Sequence, residues 1–116
     1  MGNLLRFGLA LSFLILLIPT LSAQQVDDYR SAATGNWASA STWERFDGTN
    51  WVAAGLAPSS SNGAITIRSP HTVTVAATAS ADQTVVESGG TLVLNSTLNL
   101  ADGTGTDLVI QGTMNW

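Results

Sequence analysis

The chain has 116 residues, a formal net charge of −4 and no cysteine, which excludes disulfide scaffolds, thiolate metal sites and Cys nucleophiles. Four scattered Arg stand against eight Asp and Glu, with no Lys, so the basic footprint of a nucleic-acid binder is missing. One His is too few for a His-built zinc or catalytic site.

Met1 to Arg6 carries a single positive charge, and Phe7 to Ile18 then runs as an apolar core broken only by Gly8 and Ser12. Pro19 and Thr20 end it, and Leu21-Ser22-Ala23 supplies a small residue before a cut. That order is a secretory signal peptide, 1–23. The core is shorter than the roughly 20 apolar residues a membrane-spanning helix needs. The mature chain is therefore expected to start at Gln24, to be secreted or displayed at the cell surface, and to have no membrane span.

From Gln24 onward, 37 residues are apolar, 13 of them Ala, while Ser and Thr supply 23. Low charge with abundant Thr, Val and Gly suits pleated β surfaces rather than disorder. The expected class is all-β. Residues 24–58 hold Trp37, Trp43, Trp51, Tyr29 and Phe46 without sustained periodicity, and read as an irregular N-terminal cap. Pro58-Ser59-Ser60-Ser61-Asn62-Gly63 is a loop by composition.

Alternation takes over in 59–116. Strands are expected at Ala64 to Arg68, His71 to Val75, Gln83 to Glu87, Thr91 to Asn95, Thr97 to Leu100, Asp107 to Gln111 and Thr113 to Trp116. Aliphatic and other large apolar residues sit two apart at 65/67, 73/75, 92/94, 98/100, 108/110 and 114/116, which places each pair on one strand face. Thr66, Thr74, Asn95 and Asn99 then face outward. Leu92 to Leu100 aligns position for position with Leu108 to Trp116: aliphatic on aliphatic, amide on amide, Thr on Thr. Looser correspondences carry Ile65 to Val85 and Val73 to Leu92. Short strands at near-regular offsets joined by Gly/Asp/Ser turns are the sequence form of a β-solenoid. A β-sandwich of meandering hairpins also fits the alternation; the match of Leu92–Leu100 to Leu108–Trp116, of sequence rather than pattern alone, favours the solenoid.

The stretches Tyr29 to Trp37, Ser41-Thr42-Trp43-Glu44, Ile65 to Val75 and Ser88-Gly89-Gly90-Thr91-Leu92-Val93-Leu94 together resemble the opening of large exported Bacteroidetes proteins, and Asp102 to Leu108 also fits. There a Gly-Asn-Trp and Ser-Thr-Trp pair precedes a strand–turn–His-Thr-Val-Thr-Val segment. The resemblance covers essentially all of 29–116. It implies a right-handed parallel β-helix in an adhesin-like cell-surface or secreted protein, often exported by the type IX system. This chain has Pro70 where family members usually have Gly, and family members usually end in a C-terminal sorting domain.

Each residue type capable of chemistry has a plainer role. His71, alone, reads as a turn or surface residue, and the resemblance implies a structural part for it, such as bonding a turn carbonyl, rather than catalysis. Asp102 and Asp107 flank Gly103-Thr104-Gly105-Thr106 and could bring two carboxylates toward Ca²⁺, but Asp-Gly turn geometry accounts for the same residues. No other cofactor is expected. Nothing in the sequence places Glu44 and Glu87 at the spacing of a glycosidase pair. Trp37, Trp43 and Trp51 could stack sugar rings, or plug the end of the first coil, which a solenoid must cap. Asn95-Ser96-Thr97 is a formal glycosylation sequon with meaning only in a eukaryotic secretory pathway.

The expected function is structural and non-enzymatic: the N-terminal, adhesin-like part of an exported cell-surface protein, its coils continuing beyond Trp116. The partner would be a surface polysaccharide or another cell-surface component. A carbohydrate-binding module is the alternative, and a remnant of a polysaccharide-degrading β-helix enzyme a weaker one.

Overall fold

A computed structural model describes residues 23–116; the expected signal peptide falls almost entirely outside them. The described chain is all-β. It opens with β1 (Tyr29–Ser31) and β2 (Gly35–Asn36), then a 3-10 turn at Ala40–Thr42 leads into the hairpin β3 (Trp43–Phe46) and β4 (Trp51–Ala53). Two similar circuits follow: β5 (Ala64–Ile67), β6 (Thr72–Val75) and β7 (Ala79–Ala81), then β8 (Gln83–Val86), β9 (Thr91–Leu94) and β10 (Leu98–Leu100). Last come β11 (Leu108–Ile110) and β12 (Thr113–Asn115).

Successive circuits lie parallel on one another in three sheets. β1, β5, β8 and β11 stack in the first, β2, β6, β9 and β12 in the second, and β7 and β10 in the third. Beyond β1, the hairpin continues the first sheet with antiparallel pairing, so this six-stranded sheet is mixed. The hairpin meander of a sandwich is confined to β1, β3 and β4. Ile65 pairs with Thr84, Val73 with Leu92 and Ala79 with Leu98, so the step from the first of these circuits to the second is the same in all three sheets.

That register corrects two sequence correspondences. Ile65 lies against Thr84, not Val85. Leu92 lies against Met114 and Leu108 against Thr84, so the spacing between the matched segments Leu92–Leu100 and Leu108–Trp116 is no circuit length. The match superposes β9–β10 on β11–β12, which occupy different sheets. The two segments share a strand–turn–strand build, and their likeness runs between faces of the stack rather than along it.

The core follows the alternation. Ile65, Ile67, Val73, Val75, Val86 and Leu92 are fully buried, while Thr66 and Thr74 between them are only half-buried. Toward the last strands burial falls: Leu94, Leu98, Leu108 and Met114 are half-buried, and Leu100, Ile110 and Trp116 are exposed. Corner turns stack too. A Cβ on Gly90 would come within 2.7 Å of the Ile67 carbonyl oxygen, so only glycine lets this turn sit on the one below.

Thr84 takes an inward place that its neighbours give to Ile65 and Leu108. Its Oγ1 is buried and has no hydrogen-bond partner. An unsatisfied buried hydroxyl costs about 1–3 kcal/mol. Thr84→Val should therefore raise stability by about 1 kcal/mol and lift Tm; an unchanged or lower Tm would show that the hydroxyl is not isolated.

At the opposite end, Trp37 and Trp43 close the stack. They are 2% and 1% exposed and meet edge to face, centroids 5.1 Å apart. Both indole N–H groups are satisfied: Trp37 Nε1 donates to the Pro58 carbonyl (3.1 Å) and Trp43 Nε1 to the Trp37 carbonyl (2.8 Å). Tyr29 adds a second edge contact to Trp43 at 6.4 Å, and burial pushes its phenol pKa up. The hairpin turn at the far edge is fastened by Asp47, whose Oδ1 accepts the Thr49 and Asn50 amides at 2.8 and 2.7 Å. Those bonds hold its carboxyl below the usual carboxylate range. The turn keeps their benefit at neutral pH and loses it as pH falls through that lowered range.

Candidate functional site

The first sheet turns one face inward and leaves the other open. In β1, Tyr29 and Ser31 are buried and Arg30 between them points out. Register then sets a row across the open face. Arg30 pairs with Thr66, Thr66 with Val85 and Val85 with Val109 on one side, and Arg30 with Glu44 on the other. Trp51 stands at the β4 edge opposite Phe46. Of these, Arg30, Thr66, Val85 and Trp51 wall an open cleft of about 440 Å³ that also takes in Arg68, Gln83 and Glu87; Glu44 lies beside it, held to Arg30.

Within the cleft, charge is balanced locally. Arg30 Nε donates to Glu44 Oε2 at 2.7 Å, and Arg68 Nη2 lies 4.0 Å from the same oxygen. All three side chains are about a third exposed, so these pairs contribute about 0–1 kcal/mol each. Their effect is placement. The Arg30 guanidinium sits 4.3 Å from the Trp51 ring centroid, and the Phe46 ring lies 5.3 Å from it, tilted. Arg68 Nε donates to the Ser31 carbonyl, 2.9 Å. The arrangement offers guanidinium donors, a carboxylate, an amide and an aromatic edge to a polar ligand. Its described lining includes no Ser, Cys, Lys or His.

Ser31 and His71 come within 2.8 Å through Oγ and Nδ1, which has the look of a catalytic dyad. Ser31 is fully buried, however, and its Oγ already accepts the Arg68 amide at 2.9 Å. This pair fastens β1 to the turn between β5 and β6. The His71 ring bonds a hydroxyl rather than the turn carbonyl expected of it; its backbone N–H meets a turn carbonyl, that of Arg68.

Of the three Trp singled out as sugar contacts, only Trp51 borders the cleft. Trp37 and Trp43 are buried in the core, where they close the first circuit, and Trp37 reaches only the floor of a separate open pocket beside Pro58 and Ala79. Arg30, Arg68 and Gln83 escaped sequence reading, and Glu87 was weighed only as a partner of Glu44, because nothing periodic marks β1 or sets its register to β5.

The Asp102–Asp107 loop drapes over the start of β8. Gln83 Nε2 donates to the Thr104 carbonyl, and the Thr84 amide to the Asp107 carbonyl at 2.9 Å. Asp102 is exposed. The carboxylate under the loop is Asp82, against which a Cβ on Gly103 would collide. Asp82 Oδ1 and Asp107 Oδ1 are both buried without partners. Among the described residues, no three or more His, Cys, Asp or Glu gather within reach of one ion.

Compared with known protein families, curated proteins and solved structures, the chain finds no match in any.

Proposed function

We propose that this chain is an exported, non-enzymatic structural element of the cell surface: a right-handed parallel β-helix that serves as a stalk or adhesive surface. The observation that carries this reading is the in-register stacking of successive circuits in three sheets, closed at the β1 end by a Trp-braced hairpin. Such repetition builds length and surface. Parallel crossovers within one sheet are overwhelmingly right-handed, which supports the hand. The leader at 1–23 and the resemblance to exported Bacteroidetes β-helix proteins support the address. An epitope inserted in the exposed loop Ala101–Thr106 should be labelled by antibody on intact cells, and cells lacking the protein should attach less to polysaccharide-coated surfaces. Label confined to the cytoplasm, or sugar released from polysaccharide by the purified protein, would overturn the proposal.

A carbohydrate-binding role is favoured by one specific feature, the cleft between Trp51, Arg30 and Glu87. Because Arg30 covers the Trp51 ring, a sugar would meet the guanidinium and the indole edge rather than a bare aromatic face. On this reading, intrinsic fluorescence should shift when soluble polysaccharide is added and stay flat in Trp51→Phe. A shift that survives in Trp51→Phe would place binding elsewhere, Trp116 being 88% exposed.

A further inference from the structure

We infer that the cleft on the open face of the first sheet takes a neutral glycan in preference to an acidic, uronate-rich one, and that Glu87 is the carboxylate that binds its hydroxyls. The inference rests on the carbohydrate reading of that cleft and names the class of sugar.

Register sets up a charge pair that does not close. Ile67 pairs with Val86, and the Glu87 amide donates to the Ile67 carbonyl at 2.9 Å. Arg68 and Glu87 therefore follow on adjacent rungs, whose strands lie about 4.8 Å apart. Arg68 nonetheless leans away: its Nε donates to the Ser31 carbonyl at 2.9 Å and its Nη2 lies 4.0 Å from Glu44 Oε2. Among the described residues Glu87 has no ion-pair partner, although it is half-buried.

The other carboxylates of the site are already engaged. Asp28 Oδ1 and Oδ2 accept the Ala64 and Gln25 amides at 2.9 and 2.8 Å, and Glu44 Oε2 accepts from Arg30 Nε at 2.7 Å. Glu87 is left to accept from a ligand, with the Arg68 guanidinium beside it as donor. A hydroxyl is both donor and acceptor. Two of them on neighbouring ring carbons suit this split pair, one donating to Glu87 while the next accepts from Arg68. Val85, Ala64 and the Trp51 edge add an apolar stretch to the lining, which fits the C–H face of a sugar ring.

Charge decides between the classes of glycan. Arg30 and Arg68 stand against Asp28 and Glu87 in the lining and Glu44 beside it, and the whole chain carries −4. On the export reading, the Gln24 α-ammonium at the rim brings the signs level and no further. A polyuronate would bring carboxylates toward Glu87 with no surplus cation to receive them, and like charges brought together disfavour the complex. A cationic ligand would meet two guanidiniums. A neutral glycan avoids both conflicts. The cleft, about 440 Å³, lies within the roughly 300–1,000 Å³ of small-ligand sites and suits a short stretch of chain.

Depletion binding of the purified protein to beads carrying dextran, mannan, a β-glucan or polygalacturonate tests the inference. At least one neutral glycan should bind at least tenfold more tightly than polygalacturonate, and should hold when salt is raised, because no ion pair is exchanged. Glu87→Ala should weaken that binding roughly tenfold or more, the worth of hydrogen bonds to a charged group, with Tm unchanged. Glu87→Arg should gain polygalacturonate binding that high salt removes, a gain that no loss of fold can imitate. Preference of the parent protein for polygalacturonate, or neutral binding that both Glu87 variants leave intact, overturns the inference and leaves the carbohydrate reading standing. Failure to bind any of the four overturns both.

Discussion

Trp43→Ala is expected to cost about 3–5 kcal/mol, the largest loss from any single truncation in this chain. The side chain is 1% exposed and packs on both Trp37 and Tyr29. Its Nε1 is also the donor to the Trp37 carbonyl. Removal opens a cavity at the closed end of the stack and strands a buried carbonyl, two penalties that add. With total stability of small domains at about 5–15 kcal/mol, the variant should lose most of its cooperative urea transition. Trp43→Phe separates the terms: it refills much of the space but leaves the carbonyl unpaired, for a smaller loss of about 1–3 kcal/mol. A Trp43→Ala midpoint near that of the parent would show that the indole pair does not close the core.

Ile67→Asp should be comparably damaging, because the residue is fully buried and, among the described residues, no cation is buried in the interior to pair with the new carboxylate. Thr74→Asp, on the outward face of β6, should stay within about 0.5 kcal/mol. Leu94→Asp belongs between them, since Leu94 is only half-buried. Melting curves of the three variants in one buffer make the comparison; equal shifts at Ile67 and Thr74 would refute the assignment of strand faces.

The C-terminal half was largely legible from sequence because its strands are simple: period two, one aliphatic face, turns of Gly, Ser and Asp. The pairs 65/67 and 73/75 emerge as core for that reason. Reading failed where the signal was not local. β7 carries only Ala79, Ser80 and Ala81, too small to register as a hydrophobic pair, yet Ala81 is fully buried. In β8 the inward place falls to Thr84 while Val85 faces out, so residue type pointed to the wrong face and only pairing with Ile65 corrects it. The segment 24–58 looked irregular because β1 is very short and joins β5 only after the whole hairpin and the Ser-rich loop have intervened. Every cleft residue depends on that pairing. Sequence could nominate Trp51 as one of three aromatics, but not separate it from the two that turned inward.

The hairpin beside β1 has a consequence for how the molecule comes into being. Arg30 pairs with Glu44, and Phe46 with Trp51 across a tight turn, so these partners are near in sequence and close short loops at small entropic cost. Each later circuit closes onto the strands of the circuit before it, which are already in place. A chain that emerges N-terminus first, from a ribosome or a translocation pore, can therefore complete its beginning before its end is available. Every new strand then meets a finished template instead of searching for a partner, and the order of synthesis becomes the order of assembly.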